Sequence, residues 1–286
     1  MITKSLWLPF LAAALHAQVQ PVSYANAIIP QIPVGCGWMA TILMVNLTNH
    51  AVGFTVNFWP QAGLAGPNAT PVPRLIPIIG LGTVSSIADT IPPGGSYTIK
   101  SDEAARDSTD SCNGWAEVDS DEVIGGYVLL NQQIMVQTQE SLGGIQVQQT
   151  TEFQFETTVP FASRFAPHFI VPFDATSFTS AVAIVNPSFQ VGADVNVSYR
   201  DGSGQPICSE TRSLKPGEQQ AFTLAPPVPP AQDVVPPVCG SPSYTALQGK
   251  SGVVEVVTSN LEFSGLALRF GPFGFVSYPA QVPIGQ

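Results

Sequence analysis

Proline and glycine interrupt this chain so often that long helices cannot form. The 286 residues include 27 prolines and 25 glycines, and neither residue is tolerated well inside a helix. Many of them cluster in turn-like runs, such as residues 92–95 and 201–204. The pattern excludes a helical bundle and a doubly wound α/β sheet, and it predicts an all-β chain.

Short segments of alternating apolar and polar residues lie between these turns, which is typical of half-buried β-strands. The clearest examples are Phe54-x-Val56-x-Phe58 and Val195-x-Val197-x-Tyr199. In the first half we expect strands at residues 41–47, 53–59, 96–100, 114–118, 124–130 and 151–159. In the second half we expect them at residues 181–186, 194–200, 219–224, 253–258, 261–269 and 274–278. Many short strands with frequent turns favour antiparallel β-sandwiches.

The two halves of the chain carry the same sequence blocks in the same order. Residues 38–47 match 178–187, residues 91–94 match 214–217, residues 114–118 match 252–256, and residues 124–127 match 263–266. Each unit is roughly 100–130 residues long, a usual size for an immunoglobulin-like sandwich. We therefore predict an all-β fold of two tandem immunoglobulin-like antiparallel β-sandwich domains, residues 27–162 and 163–284.

The N-terminus has the pattern of a secretory signal peptide. Lys4 provides a positive charge, an apolar run follows, and Ala17 is a suitable last residue before cleavage. The run is too short to span a bilayer, and no later segment reaches the roughly 18 apolar residues of a membrane helix. We expect residues 1–17 to be removed and the mature chain to be extracellular or periplasmic. The alternative is a buried N-terminal strand or helix.

Several repeated segments carry a resemblance to a known group of proteins. They are residues 28–31, 171–174, 185–187, 252–255 and 265–270. Together they resemble the tandem β-sandwich repeats of exported, largely uncharacterised proteins of soil bacteria. The resemblance implies export and a duplicated sandwich, and it implies no catalytic residue.

The chain is acidic and sparsely charged. Its formal net charge is −10, with 10 Lys and Arg against 20 Asp and Glu. This composition excludes the basic surface that nucleic acids and anionic membranes require. With only 10% charged residues, the sheet edges have few charges that would oppose pairing between chains. Self-association through these edges is a further expectation.

The chain has four cysteines: Cys36, Cys112, Cys208 and Cys239. An exported protein reaches a compartment that permits disulfides. No C-x-x-C motif is present, so a zinc site is not expected. Of the three pairings we favour Cys36–Cys112 with Cys208–Cys239, because each pair then lies within one half of the chain. Buried free thiols are the alternative.

Acidic residues come nearest to a metal or catalytic site. Asp119, Asp121 and Glu122 crowd one expected turn, and carboxylate oxygens are ligands that Ca²⁺ prefers. No segment has the spacing of an EF-hand, and acidic residues are common in turns for their own backbone hydrogen bonds. His50 and His168 accompany no nucleophile motif. We therefore expect no enzyme, no cofactor and no metal, with a calcium-dependent hydrolase as the least favoured alternative.

Aromatic side chains offer a second kind of site. Trp38 and Trp115 match apolar residues of the other half and are expected in the core. Trp59, Phe273 and Phe275 are the aromatic residues expected to face a ligand. The leading hypothesis is an exported, non-enzymatic module for surface attachment, adhesion or structural interaction, with an extracellular protein or polysaccharide as partner. A carbohydrate-binding module is the alternative.

Overall fold

The computed structural model describes residues 23–66, 69–103, 112–142, 145–224, 246–271 and 274–283. Across these ranges the chain forms β-strands joined by turns, and the strand ladders are antiparallel. The predicted all-β class is confirmed. Within the same ranges, no helix is long and apolar enough to cross a membrane.

The strands fall into an N-terminal unit, β1–β10, and a C-terminal unit, β11–β18. The N-terminal strands are β1 (Ser23–Ile29), β2 (Trp38–Asn46), β3 (Val52–Pro60), β4 (Ile76–Ile78), β5 (Gly82–Val84), β6 (Ser86–Ile91), β7 (Ser96–Lys100), β8 (Gly114–Leu142), β9 (Ile145–Pro160) and β10 (Ala162–Ser163). The C-terminal strands are β11 (His168–Asp174), β12 (Thr179–Val185), β13 (Ala193–Asp201), β14 (Pro206–Leu214), β15 (Gln219–Thr223), β16 (Ser251–Thr258), β17 (Ser264–Gly271) and β18 (Gly274–Pro279).

Two four-stranded sheets make up the C-terminal unit. One has the order β11-β16-β13-β14 and the other β15-β12-β17-β18. Burial alternates along β13 as its sequence predicts, because Val195, Val197 and Tyr199 are buried while Asp194 and Asn196 between them are exposed. Buried residues of both sheets form one contiguous apolar core. The unit is therefore sandwich-like.

The N-terminal unit repeats this order around one long strand. β8 pairs with β3 as far as Ser120 and with β2 from Ile124 onward. The neighbours β1-β8-β3-β6 then correspond to β11-β16-β13-β14, and β7-β2-β8-β9 correspond to β15-β12-β17-β18. β8 thus takes the places of both β16 and β17. The turn expected at residues 119–122 is instead part of this strand, and the β1–β8 ladder shifts register there.

The ladders of the two units match rung for rung. Met44 pairs with Gly126 as Ile184 pairs with Gly265; Val56 pairs with Val118 as Val197 pairs with Val256; Ile42 pairs with Ile99 as Val182 pairs with Phe222. Each correspondence joins residues that the sequence blocks align. The two units therefore share one topology.

An immunoglobulin-like strand order is not confirmed. In an immunoglobulin constant domain the first, second, fifth and fourth strands share a sheet, and the third, sixth and seventh form the other. In the C-terminal unit the first strand lies beside the sixth, and the second lies between the fifth and the seventh. The pairings give two sandwich-like units with this different order.

The apolar cores of the two units are connected through the sheet β15-β12-β17-β18. Val182 and Ala267 belong to the core of the C-terminal unit. Ala183, Leu266 and Leu268, which alternate with them along β12 and β17, belong to the core cluster of the N-terminal unit. Both faces of these two strands are therefore buried.

A disulfide closes one end of the N-terminal unit. Cys36 and Cys112 are bonded, as predicted, with Cα atoms 5.8 Å apart. Cys36 and Gly37 form a two-residue turn in which both have positive φ, 51° and 83°, as a type I′ turn requires. Cys208 is also disulfide-bonded. Cys239 lies outside the described residues, so its pairing stays a prediction.

Candidate ligand-binding groove

The N-terminal unit carries an insertion that its counterpart lacks. Residues 61–85 separate β3 from β6, whereas a short turn joins β13 to β14. Four aliphatic side chains of the insertion are exposed: Val72 (74%), Leu75 (66%), Ile79 (50%) and Leu81 (50%). Clustered exposed apolar side chains mark interaction surfaces.

Arg74 is the one charged residue between positions 61 and 85, and it is directed inward. Its guanidinium donates hydrogen bonds to the carbonyls of Ile32 (2.9 Å), Val34 (2.9 Å) and Cys112 (3.1 Å). Burial lowers the pKa of Arg74 to about 10. The charge therefore fastens the insertion to the disulfide-bonded end of the unit, and the outer surface of the insertion carries no charge.

A groove of about 340 Å³ lies between this insertion and the C-terminal unit. Its lining is apolar apart from Thr70 and the indole of Trp59, and consists of Trp59, Pro60, Ala62, Gly63, Leu64, Ala65, Ala69, Thr70, Pro71, Val72, Phe189, Pro216 and Gly217. Concave, mostly apolar surfaces with few polar groups are typical of ligand sites.

Three aromatic rings meet at the groove. The Trp59 ring lies 4.5 Å from that of Phe189 and 6.0 Å from that of Trp115, measured between centroids. Trp115 is fully buried, and its indole N–H donates a 3.1 Å hydrogen bond to the carbonyl of Gly217. Gly217 has a φ of +70°, and a Cβ there would lie 2.5 Å from the Phe189 ring. The rings therefore fix the floor of the groove across the two units.

Backbone hydrogen bonds hold the rim. The amide of Leu64 donates to the carbonyl of Pro216 (2.9 Å), and the amide of Gln219 donates to the carbonyl of Gln61 (3.0 Å). The side chain of Gln219 also donates to the carbonyl of Pro30 (2.9 Å). The insertion is thus attached directly to the turn between β14 and β15, and the groove is preformed.

Trp59 has an unsatisfied donor. Its indole nitrogen is buried, and no acceptor for it is found in the described part of the chain. A buried donor without a partner costs about 1–3 kcal/mol. This cost falls on a residue that lines the groove.

Phe275, another of the predicted ligand-facing aromatics, does not join Trp59. Phe275 is 5% exposed and packs on Trp38 (5.2 Å) and Phe270 (5.6 Å), so the structure places it in the core rather than on a ligand-facing surface. The reason is the connected core, because β18 lies against the N-terminal unit. Phe273 lies outside the described residues.

The predicted calcium ligands lie elsewhere and have separate partners. Asp119 and Asp121 line an open groove beside β3 and β6. Asp121 accepts a hydrogen bond from the amide of Gly53 (3.2 Å), while the Glu122 carboxylate lies 3.8 Å from His50. Burial raises the pKa of Asp119. Among the residues that the structure describes, no three His, Cys, Asp or Glu side chains are close enough to hold a metal ion.

Glu117 and Glu255 occupy matching positions in the two units, and each forms ion pairs with other residues. Arg164 binds Glu117 and also reaches Glu262 (3.3 Å). Glu255 binds His168 (3.0 Å) and Arg200 (3.3 Å). His168 is therefore engaged by a carboxylate.

Two groove residues were not identified in the sequence. Phe189 and Pro216 lie more than a hundred positions from Trp59, and only the contact between the units brings them together.

Comparison with protein-family models, with curated proteins and with solved structures found no match.

Proposed function

We propose that this chain is an exported, non-enzymatic binding module that captures proline-rich polypeptide segments outside the cell. The apolar, aromatic groove at Trp59 is the single observation that carries the proposal. Export rests on the signal-peptide pattern at Lys4 and Ala17 and on the resemblance to exported repeat proteins. Adhesion or surface attachment would follow from capture of a partner's extended segment.

The chemistry of the groove favours a polypeptide over a polysaccharide. A proline-rich segment adopts an extended left-handed helix whose rings pack on aromatic side chains. The groove offers two such side chains, Trp59 and Phe189. A sugar needs several hydroxyl partners, and Thr70 is the one hydroxyl side chain on the described lining.

The insertion side of the groove favours an uncharged segment. Val72, at the rim, is 74% exposed, and the insertion that carries it has no outward charge. Binding should therefore depend on apolar contact and depend only weakly on ionic strength.

Calorimetric titration of the mature chain with a blocked decaproline peptide tests the proposal. Val72→Asp places a charge at the rim without disturbing the core and should weaken binding at least about tenfold, or 1.4 kcal/mol. Leu261→Asp is the matched control, because Leu261 is equally exposed (72%) and lies outside the groove. Its affinity should equal that of the unchanged chain.

The opposite outcomes are equally clear. If decaproline does not bind, or if Val72→Asp and Leu261→Asp bind it equally well, the proposal is wrong. Retention on cellulose or chitin that is lost in Val72→Asp alone would assign the groove to carbohydrate instead.

A further inference from the structure

The terminal hairpins of the two units differ greatly in length. In the C-terminal unit the β17–β18 ladder ends at the Gly271–Gly274 rung. The equivalent rung of the β8–β9 ladder joins Gln132 to Phe155, because Tyr127–Pro160 matches Leu266–Pro279. Beyond it the N-terminal hairpin continues to the Leu142–Ile145 rung. We call the paired strands of this extra part, residues 133–142 and 145–154, the ribbon.

The ribbon extends past its supporting strands. The β2–β8 ladder ends at the Trp38–Gln132 rung, and the amide of Gln133 donates to the carbonyl of Gly37 (2.8 Å). From residue 134 to 153 the described strands form no ladder with the ribbon other than the one between its own two strands. At about 3.3 Å per residue the ribbon is about 30 Å long. Between residues 134 and 153, neither backbone edge of the ribbon is paired with another described strand.

The sequence of the ribbon lacks the features that protect open edges. Residues 133–154 contain no proline, lysine or arginine, and the ladder runs without a bulge. Proline, lysine and bulges are the usual means of preventing edge pairing. Their absence leaves a regular, pairing-competent edge.

The ribbon also needs support. A two-stranded hairpin alone is marginally stable in water. Two of its rungs, Ile134–Phe153 and Leu142–Ile145, are wholly apolar, while the others are mixed or polar, such as Glu140–Val147 and Gln139–Gln148. A third or fourth strand would complete the hydrogen bonds of its backbone edges.

We propose that the ribbon pairs with the ribbon of a second copy of this chain, giving a two-fold dimer. An antiparallel edge is self-complementary, so the same edge of each copy pairs across one two-fold axis. Glu140 and Glu152 are the only charged residues of the ribbon. The other residues are mainly glutamine, threonine and aliphatic residues, which pair well with themselves.

Charge sets the expected salt dependence. Two copies with a formal net charge of −10 each repel one another, and added salt screens this repulsion. Dimerisation should therefore strengthen between low and moderate ionic strength. Docking of a basic partner would instead weaken with salt.

Sedimentation velocity of the mature chain over a range of concentrations tests the dimer. The double variant Gln137→Lys with Gln148→Lys should remain monomeric where the unchanged chain dimerises, with at least a tenfold weaker dimer. Asn196→Lys with Ser209→Lys is the matched control, because it adds the same charge at exposed positions of β13 and β14 and should still dimerise.

Hydrogen exchange gives a second measurement on the unaltered chain. Amides of residues 134–153 should become more protected as protein concentration rises, while those of β13 should not change. A chain that stays monomeric throughout, a Gln137→Lys, Gln148→Lys variant that still dimerises, or ribbon protection independent of concentration would overturn the proposal. The groove at Trp59 is not involved, so the two proposals fail separately.

Discussion

The indole N–H of Trp115 on β8 donates a 3.1 Å hydrogen bond to the carbonyl of Gly217, in the turn before β15. The neighbouring indole of Trp59 has no such acceptor among the described residues. The two rings are 6.0 Å apart, so one aromatic cluster contains a satisfied and an unsatisfied donor.

This difference predicts that replacing tryptophan by phenylalanine has unequal effects on stability at the two positions. Trp115→Phe leaves the Gly217 carbonyl without its donor and should lower the free energy of unfolding by about 1–3 kcal/mol. Trp59→Phe removes a donor that has no acceptor among the described residues, so it should lower the free energy of unfolding by less than Trp115→Phe does. Urea denaturation of both variants checks this, and equal losses would contradict it.

Asn46 and Asn186 occupy matching positions in the two units and hydrogen-bond to equivalent loops. They should therefore contribute similarly to the free energy of unfolding. The side-chain amide of Asn46 donates to three carbonyls, those of His50 (2.7 Å), Ile91 (3.0 Å) and Pro92 (3.1 Å). Because buried acceptors would lose their donor, Asn46→Ala should lower the free energy of unfolding by about 3 kcal/mol. Thermal unfolding measures the loss.

Asn186 supplies the parallel test in the C-terminal unit. It donates to the carbonyls of Val191 (2.8 Å) and Lys215 (3.0 Å), and Asn186→Ala should be similarly destabilising. Asn49→Ala is the control, since Asn49 is exposed and its loss should change little. A mild effect of both buried substitutions would refute the role.

Substitution of Gly126 or Gly265, even by alanine, should destabilise the protein. A Cβ at Gly126 would lie 2.2 Å from the Phe161 ring, and one at Gly265 would lie 2.3 Å from the Phe169 ring. Overpacking of this kind costs about 1–3 kcal/mol, so both alanine variants should unfold at lower urea concentration. Adding Phe161→Leu to Gly126→Ala should recover part of the loss.

Gly202→Ala is the control for this pair. A Cβ there meets nothing closer than 4.0 Å, and its stability should match that of the unchanged chain. Recovery in the double variant separates a clash with the ring from a general intolerance of alanine.

Asp119 should make stability depend on pH in an unusual direction. Burial raises the pKa of Asp119, so its contribution is favourable below the unfolded pKa and is lost as pH rises through the folded pKa. Asp119→Asn should therefore be more stable than the unchanged chain at pH 7 and gain no advantage at pH 3.

Asp201 should make stability depend on pH in the opposite direction. Hydrogen bonds from Ser203 and from the amide of Gln205 lower the pKa of Asp201, so its contribution is present at neutral pH and is lost on acidification. Asp201→Asn should lose stability at pH 7 and lose less at pH 3. Parallel pH profiles for the two variants would contradict both assignments.

The disulfides can be mapped directly. Digestion without reductant should yield a peptide pair joining Cys36 to Cys112 and a second joining Cys208 to Cys239. The first bond spans 76 residues, and in the chain-entropy model Cys36→Ala with Cys112→Ala should cost about 4 kcal/mol of stability. A Cys112–Cys208 peptide pair would refute the predicted pairing.

The sequence anticipated strands wherever apolar alternation was strong. Phe54, Val56 and Phe58 read as a strand in the sequence and form one with alternating burial. β14 was missed because Glu210 and Arg212 interrupt its apolar pattern. Their burial is explained by contacts that the apolar pattern does not reveal, since Arg212 lies 2.6 Å from Glu210 and 3.9 Å from the centroid of the Phe222 ring.

Long-range pairing explains the other differences. Residues 119–122 have turn composition, yet β3 supports β8 up to Ser120 and β2 supports it from Ile124, so the strand continues. The ribbon is rich in glutamine and gave no apolar signal. Of the candidate site, Trp59 was found by its type alone, whereas Phe189 required knowledge of how the units meet.

Ala183, Leu266 and Leu268 give the duplication a consequence for how this chain evolved. A copied module usually stays separable and can be lost, multiplied or moved to another gene. Here one face of β12 and β17 in the second copy is buried against the core of the first. Cutting the linker between the copies would expose an apolar surface to water on each piece. The two copies therefore depend on each other to fold, and their number is fixed at two.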